Sequence, residues 1–169
     1  MKHAMIATWV MARYAIEEGC EMLGEGKDAG DAIEHAIKMV EDYPFYKSVG
    51  YGGLPNERGE VELDGAFMDG KTLSLGAVAG VKKVKNPISV ARKLADFRFN
   101  NILVGAGAEE YAFANGFEPT EMLTDRANPH YQKRLREMEE KGLSAYDGHD
   151  TVGMVALDKT GHMCAGTST

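Results

Sequence analysis

The segment DGHDTVGMVALD, residues 147–158, sets a threonine between a His-Asp pair and an apolar, strand-like run. A threonine hydroxyl is a poor nucleophile until a base takes its proton. Scission of the peptide bond ahead of Thr151 would supply that base. The freed α-amino group, with a pKa near ~7.7–8.0, accepts a proton at neutral pH. The hydroxyl is also able to perform the scission, attacking the carbonyl of Asp150 to give an ester that water hydrolyses. A strained junction, a nearby base such as the Asp150 carboxylate, and donors for the oxyanion would assist. The competing reading is that Thr151 is an ordinary first residue of a strand, and the tripeptide taken alone reads that way.

Other chemistries find less support. VGAGAEE (104–110) offers Gly105 and Gly107, but Glu110 stands where a dinucleotide loop needs its third glycine and would repel phosphate at a helix N-terminus. Asp64 and Asp69 flank a turn-rich strand and read as structural. No GxSxG elbow, zinc motif or Cys-His pairing stands out. Cys20 and Cys164 lie in no CxxC and read as buried thiols, and the five histidines show no metal-ligand spacing, so no metal is expected.

The bulk properties bound the partners. A net charge of −7 argues against nucleic acid, and VKKVK (81–85) reads as a solvated surface. With 44% hydrophobic and 27% charged residues the composition is that of a soluble globular protein. No apolar run approaches the ~20 residues needed to span a bilayer. The opening MKHAMIATWVMA reads as a first strand rather than a leader, so a cytoplasmic location is expected.

These residues need a scaffold. Residues 4–10 read as a strand and 12–24 as a helix stopped by Gly24. A clearer helix covers 29–42, capped by Asp28, with Ile33, Ala36, Ile37 and Val40 on one face. The glycine-rich stretch 48–70 implies tight turns, followed by strands at 62–69 and 73–80 around an Asp69-Gly70 turn. Asn86 as N-cap and Pro87 at the first helical position launch the next helix. Residues 101–117 read as a buried strand, a glycine turn and a helix ended by Gly116. Residues 118–150 are dense in charge and read as a mobile polar connector holding a helix at 129–141. Strands at 151–158 and 162–169 then flank a turn at Lys159-Thr160-Gly161. The pattern fits a single α/β (α+β) domain, as an α+β or layered sandwich. The chain stops at Thr169 within its last strand, which would leave an unprotected edge and suggests a continuation.

The run GHDTVGMVALDKTGHMCAGTST (148–169) closely resembles the junction of the glycosylasparaginases, or aspartylglucosaminidases, of the N-terminal nucleophile hydrolase superfamily. TW (8–9), SVGYGGLPNERGEVELDGAFMDG (48–70), LGAVAGVKKVKNPISVARK (75–93) and ILVGAGAEEYAFANGF (102–117) resemble the same family in the same order. The resemblance implies a four-layer αββα sandwich, incomplete in this chain, with the nucleophile opening a central strand. It implies that Thr151 cleaves the precursor and then attacks the substrate amide. Asp150, with His149 beside it, would assist that cleavage, and the Thr169 hydroxyl would support the nucleophile. Ser48 matches a serine near the active site. Trp9 matches an aromatic lining the pocket, where the residue alone reads rather as a core anchor.

The implied reaction hydrolyses the amide between asparagine and N-acetylglucosamine through a β-aspartyl ester, with no metal or redox cofactor. Residues 1–150 would form an α-subunit segment and 151–169 the start of a β-subunit segment. The family continues with a second part that grips the substrate's α-carboxylate and α-amino groups. The implied partners are therefore that β-subunit portion and a small Asn-like amide, in a heterotetramer or a dimer of precursors. Two alternatives remain: a plant-type asparaginase or isoaspartyl peptidase, whose members usually carry glycine before the threonine, and an inactive precursor fragment.

Overall fold

Alternation along the strands decides the architecture. The computed structural model describes residues 2–97, 99–142 and 151–169. Six strands, β1 (Ala4–Ala7), β2 (Leu63–Asp69), β3 (Leu75–Val81), β4 (Ile102–Val104), β5 (Val152–Leu157) and β6 (Met163–Ser168), form one sheet in the order β1-β5-β6-β2-β3-β4. Every neighbouring pair is antiparallel except β3 and β4. Helices α1 (Arg13–Gly24), α2 (Ala29–Asp42), α3 (Pro87–Ala95) and α4 (Gly105–Ala114) cover one face. A further helix, α5 (Ala127–Lys141), lies near the charged connector.

On the covered face Val152, Met154, Ala156 and Cys164 are buried against Ile33, Ala36 and Ile37 of α2. Each of the two isoleucines contributes ~1.5–3 kcal/mol by leaving water. Gly166 permits this close approach: a Cβ there would sit 2.7 Å from Ile33 and 2.8 Å from Ile37. A second cluster joins β2 and β3 to α4 through Leu63, Val78, Val81, Ala108 and Ala112. Helix α3 spans both, giving Ile88 and Ala91 to the first and Val90 and Leu94 to the second. Among the described residues nothing covers the other face. Its residues include Ile6, 69% exposed, together with exposed Met68, Val155 and Met163. One helical layer on one sheet thus accounts for two of the four layers the resemblance implies.

Several expectations change in detail. The first strand ends at Ala7 rather than residue 10, because Trp9 has φ +64° and a 3-10 turn (Val10–Ala12) leads into α1. The strand at 102–104 is not buried. Among the described residues it pairs with β3 alone and leaves Val104 66% exposed on the uncovered face. Asp28 caps α2 as expected, accepting from the Gly30 amide at 2.8 Å, but Asn86 does not cap α3. Its side-chain amide turns to Glu41 and Asp42, and the Glu41 carboxylate takes the Ile88 amide at 3.1 Å instead. The final strand is no edge. β6 lies between β5 and β2, paired on both sides. Part of the connector is also docked, with Met122 buried in the second cluster and Tyr131 donating to the Glu57 carbonyl. No helix among the described residues is long and apolar enough to cross a membrane.

Candidate active site

The register of β5 and β6 brings the two predicted threonines together. Val152 lies opposite Ser168 with both side chains buried, so the next pair outward is Thr151 and Thr169. Alternation turns this outer pair to the bare face of the sheet. Directly opposed residues on neighbouring strands stand about 4.5–5.5 Å apart at Cβ. Thr169 is held from the other side as well: its backbone exchanges two hydrogen bonds with Asp64, at 3.0 and 3.1 Å. Its hydroxyl donates to the Ser48 carbonyl at 3.3 Å, so Ser48 joins the group.

The loop carrying Ser48 is fixed by a glycine. Gly50 has φ +71°, and a Cβ there would fall 2.2 Å from the Glu41 carbonyl oxygen. The Tyr51 amide donates to that same carbonyl at 2.7 Å. Glu41 is itself completely buried behind Ser168. Burial pushes its carboxyl up to about 8, against the lowering pull of Ser168, Asn86 and the Ile88 amide. The Ser168 hydroxyl forms no hydrogen bond of good geometry, yet lies near enough to this carboxyl to favour its charged form.

Thr8 was not singled out by sequence, although it belongs to the quoted TW pair. Its amide donates to the Gly153 carbonyl at 2.9 Å, continuing the β1–β5 ladder. Its hydroxyl then accepts from the Gly153 amide and donates to the Thr151 carbonyl, both at 2.8 Å. A side chain here replaces the backbone where the chain swings away. That departure places Trp9 at φ +64°, ψ 150°, a region costly for any residue with a side chain. Trp9 is 56% exposed, so it is not a core anchor. His149 and Asp150 lie outside the described residues.

Comparison with known proteins gives the family of the chain. A family model described as Asparaginase matches residues 5–169. The chain belongs to this asparaginase family. Among relatives, this asparaginase-family chain is 37% identical over 168 residues to an N(4)-(beta-N-acetylglucosaminyl)-L-asparaginase of Elizabethkingia miricola, covering 99% of this chain and 49% of the relative. It is 38% identical over 158 residues to an isoaspartyl peptidase/L-asparaginase of Rattus norvegicus, covering 92% and 47%. It is also 38% identical over 170 residues to a plant-type L-asparaginase of Thermococcus kodakarensis, covering 93% and 55%. The chain spans about half the length of the curated relatives it matches.

Proposed function

We propose that the chain carries the self-cleaving, nucleophile-bearing part of an N-terminal threonine amidohydrolase acting on asparagine-derived amides. The seat of Thr151 carries this reading. It opens a central strand, its carbonyl is clamped by Thr8, and it faces Thr169, which is tied to Ser48. In the first stage the Thr151 hydroxyl attacks the Asp150 carbonyl, the C–N bond breaks, and the acyl group moves to oxygen. Water hydrolyses that ester, dividing 1–150 from 151–169 onward and leaving a free α-amine. In the second stage the amine takes the hydroxyl proton as oxygen attacks the substrate amide, then donates it to the leaving nitrogen. Water releases aspartate from the β-aspartyl ester. Asp150 and His149 assist the first stage, the Thr169 hydroxyl supports the nucleophile, and Trp9 lines the pocket.

The favoured substrate is N-acetylglucosaminyl-asparagine, because His-Asp rather than glycine precedes Thr151. The alternative, free asparagine or a β-aspartyl dipeptide, draws support from the relatives named for those reactions at similar identity. The residues that hold the substrate's charged groups belong to the portion of the protein beyond the half spanned here.

Two measurements test the proposal. Intact mass after prolonged incubation is expected to show a split between Asp150 and Thr151. An undivided chain means an inert fragment. Protein extended beyond Thr169, assayed on the three substrates side by side, is expected to favour the glycosylated asparagine. Faster turnover of free asparagine or the dipeptide would move the assignment to the alternative.

A further inference from the structure

At the end of the sheet remote from Thr151, side chains from separate segments converge on one imidazole. His162 precedes β6 and Cys164 is that strand's second residue, while Asp69 closes β2 and Asp28 caps α2. The His162 Nδ1 lies 2.8 Å from Asp28 Oδ2, and Nε2 lies 2.9 Å from Asp69 Oδ2. The buried Cys164 Sγ is 3.4 Å from the same Nε2 and 4.0 Å from Asp69 Oδ2. The His162 side chain is 13% exposed.

Three donor atoms, Nε2, Sγ and Oδ2, therefore form a triangle with edges of 2.9, 3.4 and 4.0 Å. A tetrahedral zinc ion, with bonds of about 2.0–2.3 Å to nitrogen, oxygen and sulfur, sets such edges at roughly 3.3–3.6 Å. Movements of about half an ångström would seat all three on one ion. The supporting contacts are already in place. Asp28 occupies the other ring nitrogen, as a carboxylate behind a metal-bound histidine does. The second oxygen of Asp69 is held by the Lys71 amide, the Thr72 amide and the Thr72 hydroxyl, which leaves Oδ2 directed at the cluster. Asp28 and Asp69 also line a cavity of about 700 Å³ with Thr72, Ser74 and Arg92, which opens the two carboxylates to solvent.

We propose that Asp69, His162 and Cys164 bind a thiophilic divalent cation of the zinc type, oriented by Asp28. Binding replaces the Nε2 proton of the imidazolium and the thiol proton, both released to solvent. Exchanging two protons for a dication leaves the net charge of the cluster unchanged. Asp28, Asp69 and Asp158 all face the ring, so the cation meets an already anionic setting. The bound ion ties the β2–β3 turn to the β5–β6 turn, with α2 joined through Asp28.

The test is a cobalt titration of the reduced, tag-free, chelator-stripped chain, followed by displacement with zinc against a chromophoric chelator. One equivalent of Co²⁺ is expected, with thiolate charge-transfer absorption in the near ultraviolet and strong visible bands of a tetrahedral site. Cys164→Ser should lose the thiolate band, Cys20→Ser should keep it, and Asp28→Asn should keep it with affinity weakened 10- to 100-fold. Absence of a thiolate band in the wild-type chain overturns the proposal whatever the variants do. A band that survives Cys164→Ser, or disappears with Cys20→Ser, places the ion elsewhere and overturns it equally.

Discussion

The Thr8 hydroxyl works at the place where a β-ladder runs out. It receives the Gly153 amide and passes its own proton to the Thr151 carbonyl, fixing the peptide that follows the proposed nucleophile. Thr8→Val keeps the shape and removes both bonds. It is expected to cost on the order of 1 kcal/mol in stability and, with the same energy lost from the transition state, to slow the Asp150–Thr151 split about fivefold. Thr8→Ser should restore both, as followed by intact mass and thermal melting. A cleavage rate unchanged in Thr8→Val would make the bridge structural only. At Thr151 itself, alanine should abolish the split, whereas Thr151→Cys should retain slow cleavage, because a thiol also makes the acyl shift. Uncut cysteine variant beside cut wild type would refute this. The importance of Thr151 was legible because its neighbours are in sequence. That of Thr8 was not, since its partner is 143 residues away. His162 and Cys164 stand two apart on one strand end, but their carboxylate partners come from other elements.

Glu41 shows the same limit at the scale of elements. The periodicity of α2 marked its buried face, but nothing local announced that a glutamate in its last turn would cap α3 by taking the Ile88 amide. Proximity in sequence favoured Asn86 for that task, and tertiary packing gave it to Glu41. The carboxyl is completely buried with its pKa raised from 4.5 to about 8. Between those values the folded chain holds a proton that the unfolded chain has released, so stability falls as pH rises through this window. The contribution is fully present below about pH 4.5 and lost above about pH 8. Glu41→Gln carries the neutral amide throughout and should flatten the dependence. Urea midpoints at pH 5 and pH 8 are expected to fall more for wild type than for the variant. Parallel declines would show that Glu41 does not titrate in this range. Because Glu41 also fixes the Ser48 loop through its backbone carbonyl, Gly50→Ala should destabilise more than Glu41→Gln, combining a left-handed φ with a backbone collision.

The whole molecule is asymmetric across its sheet. The strands were placed in the sequence without their faces, and the inner residues of the uncovered face prove to be apolar. Ile6, Met68, Val155 and Met163 stand exposed on strands whose opposite side is buried. A solvated antiparallel face normally alternates to polar side chains, and contiguous exposed apolar patches beyond a few hundred Å² promote association. The resemblance implies a second sheet over this face, and the chain spans about half the length of its relatives. The 169-residue chain alone is therefore expected to self-associate as its concentration rises. The double variant Ile6→Lys with Val155→Glu should suppress this association while leaving the melting temperature nearly unchanged, because the two positions lie opposite each other as an ion pair and neither side chain contributes to the helix-covered core. Sedimentation velocity across a concentration series, read beside thermal melts, checks both halves of the expectation. A wild-type chain that stays monomeric would show that the bare face is tolerated by water. A variant that unfolds would show that these two side chains stabilise the sheet itself.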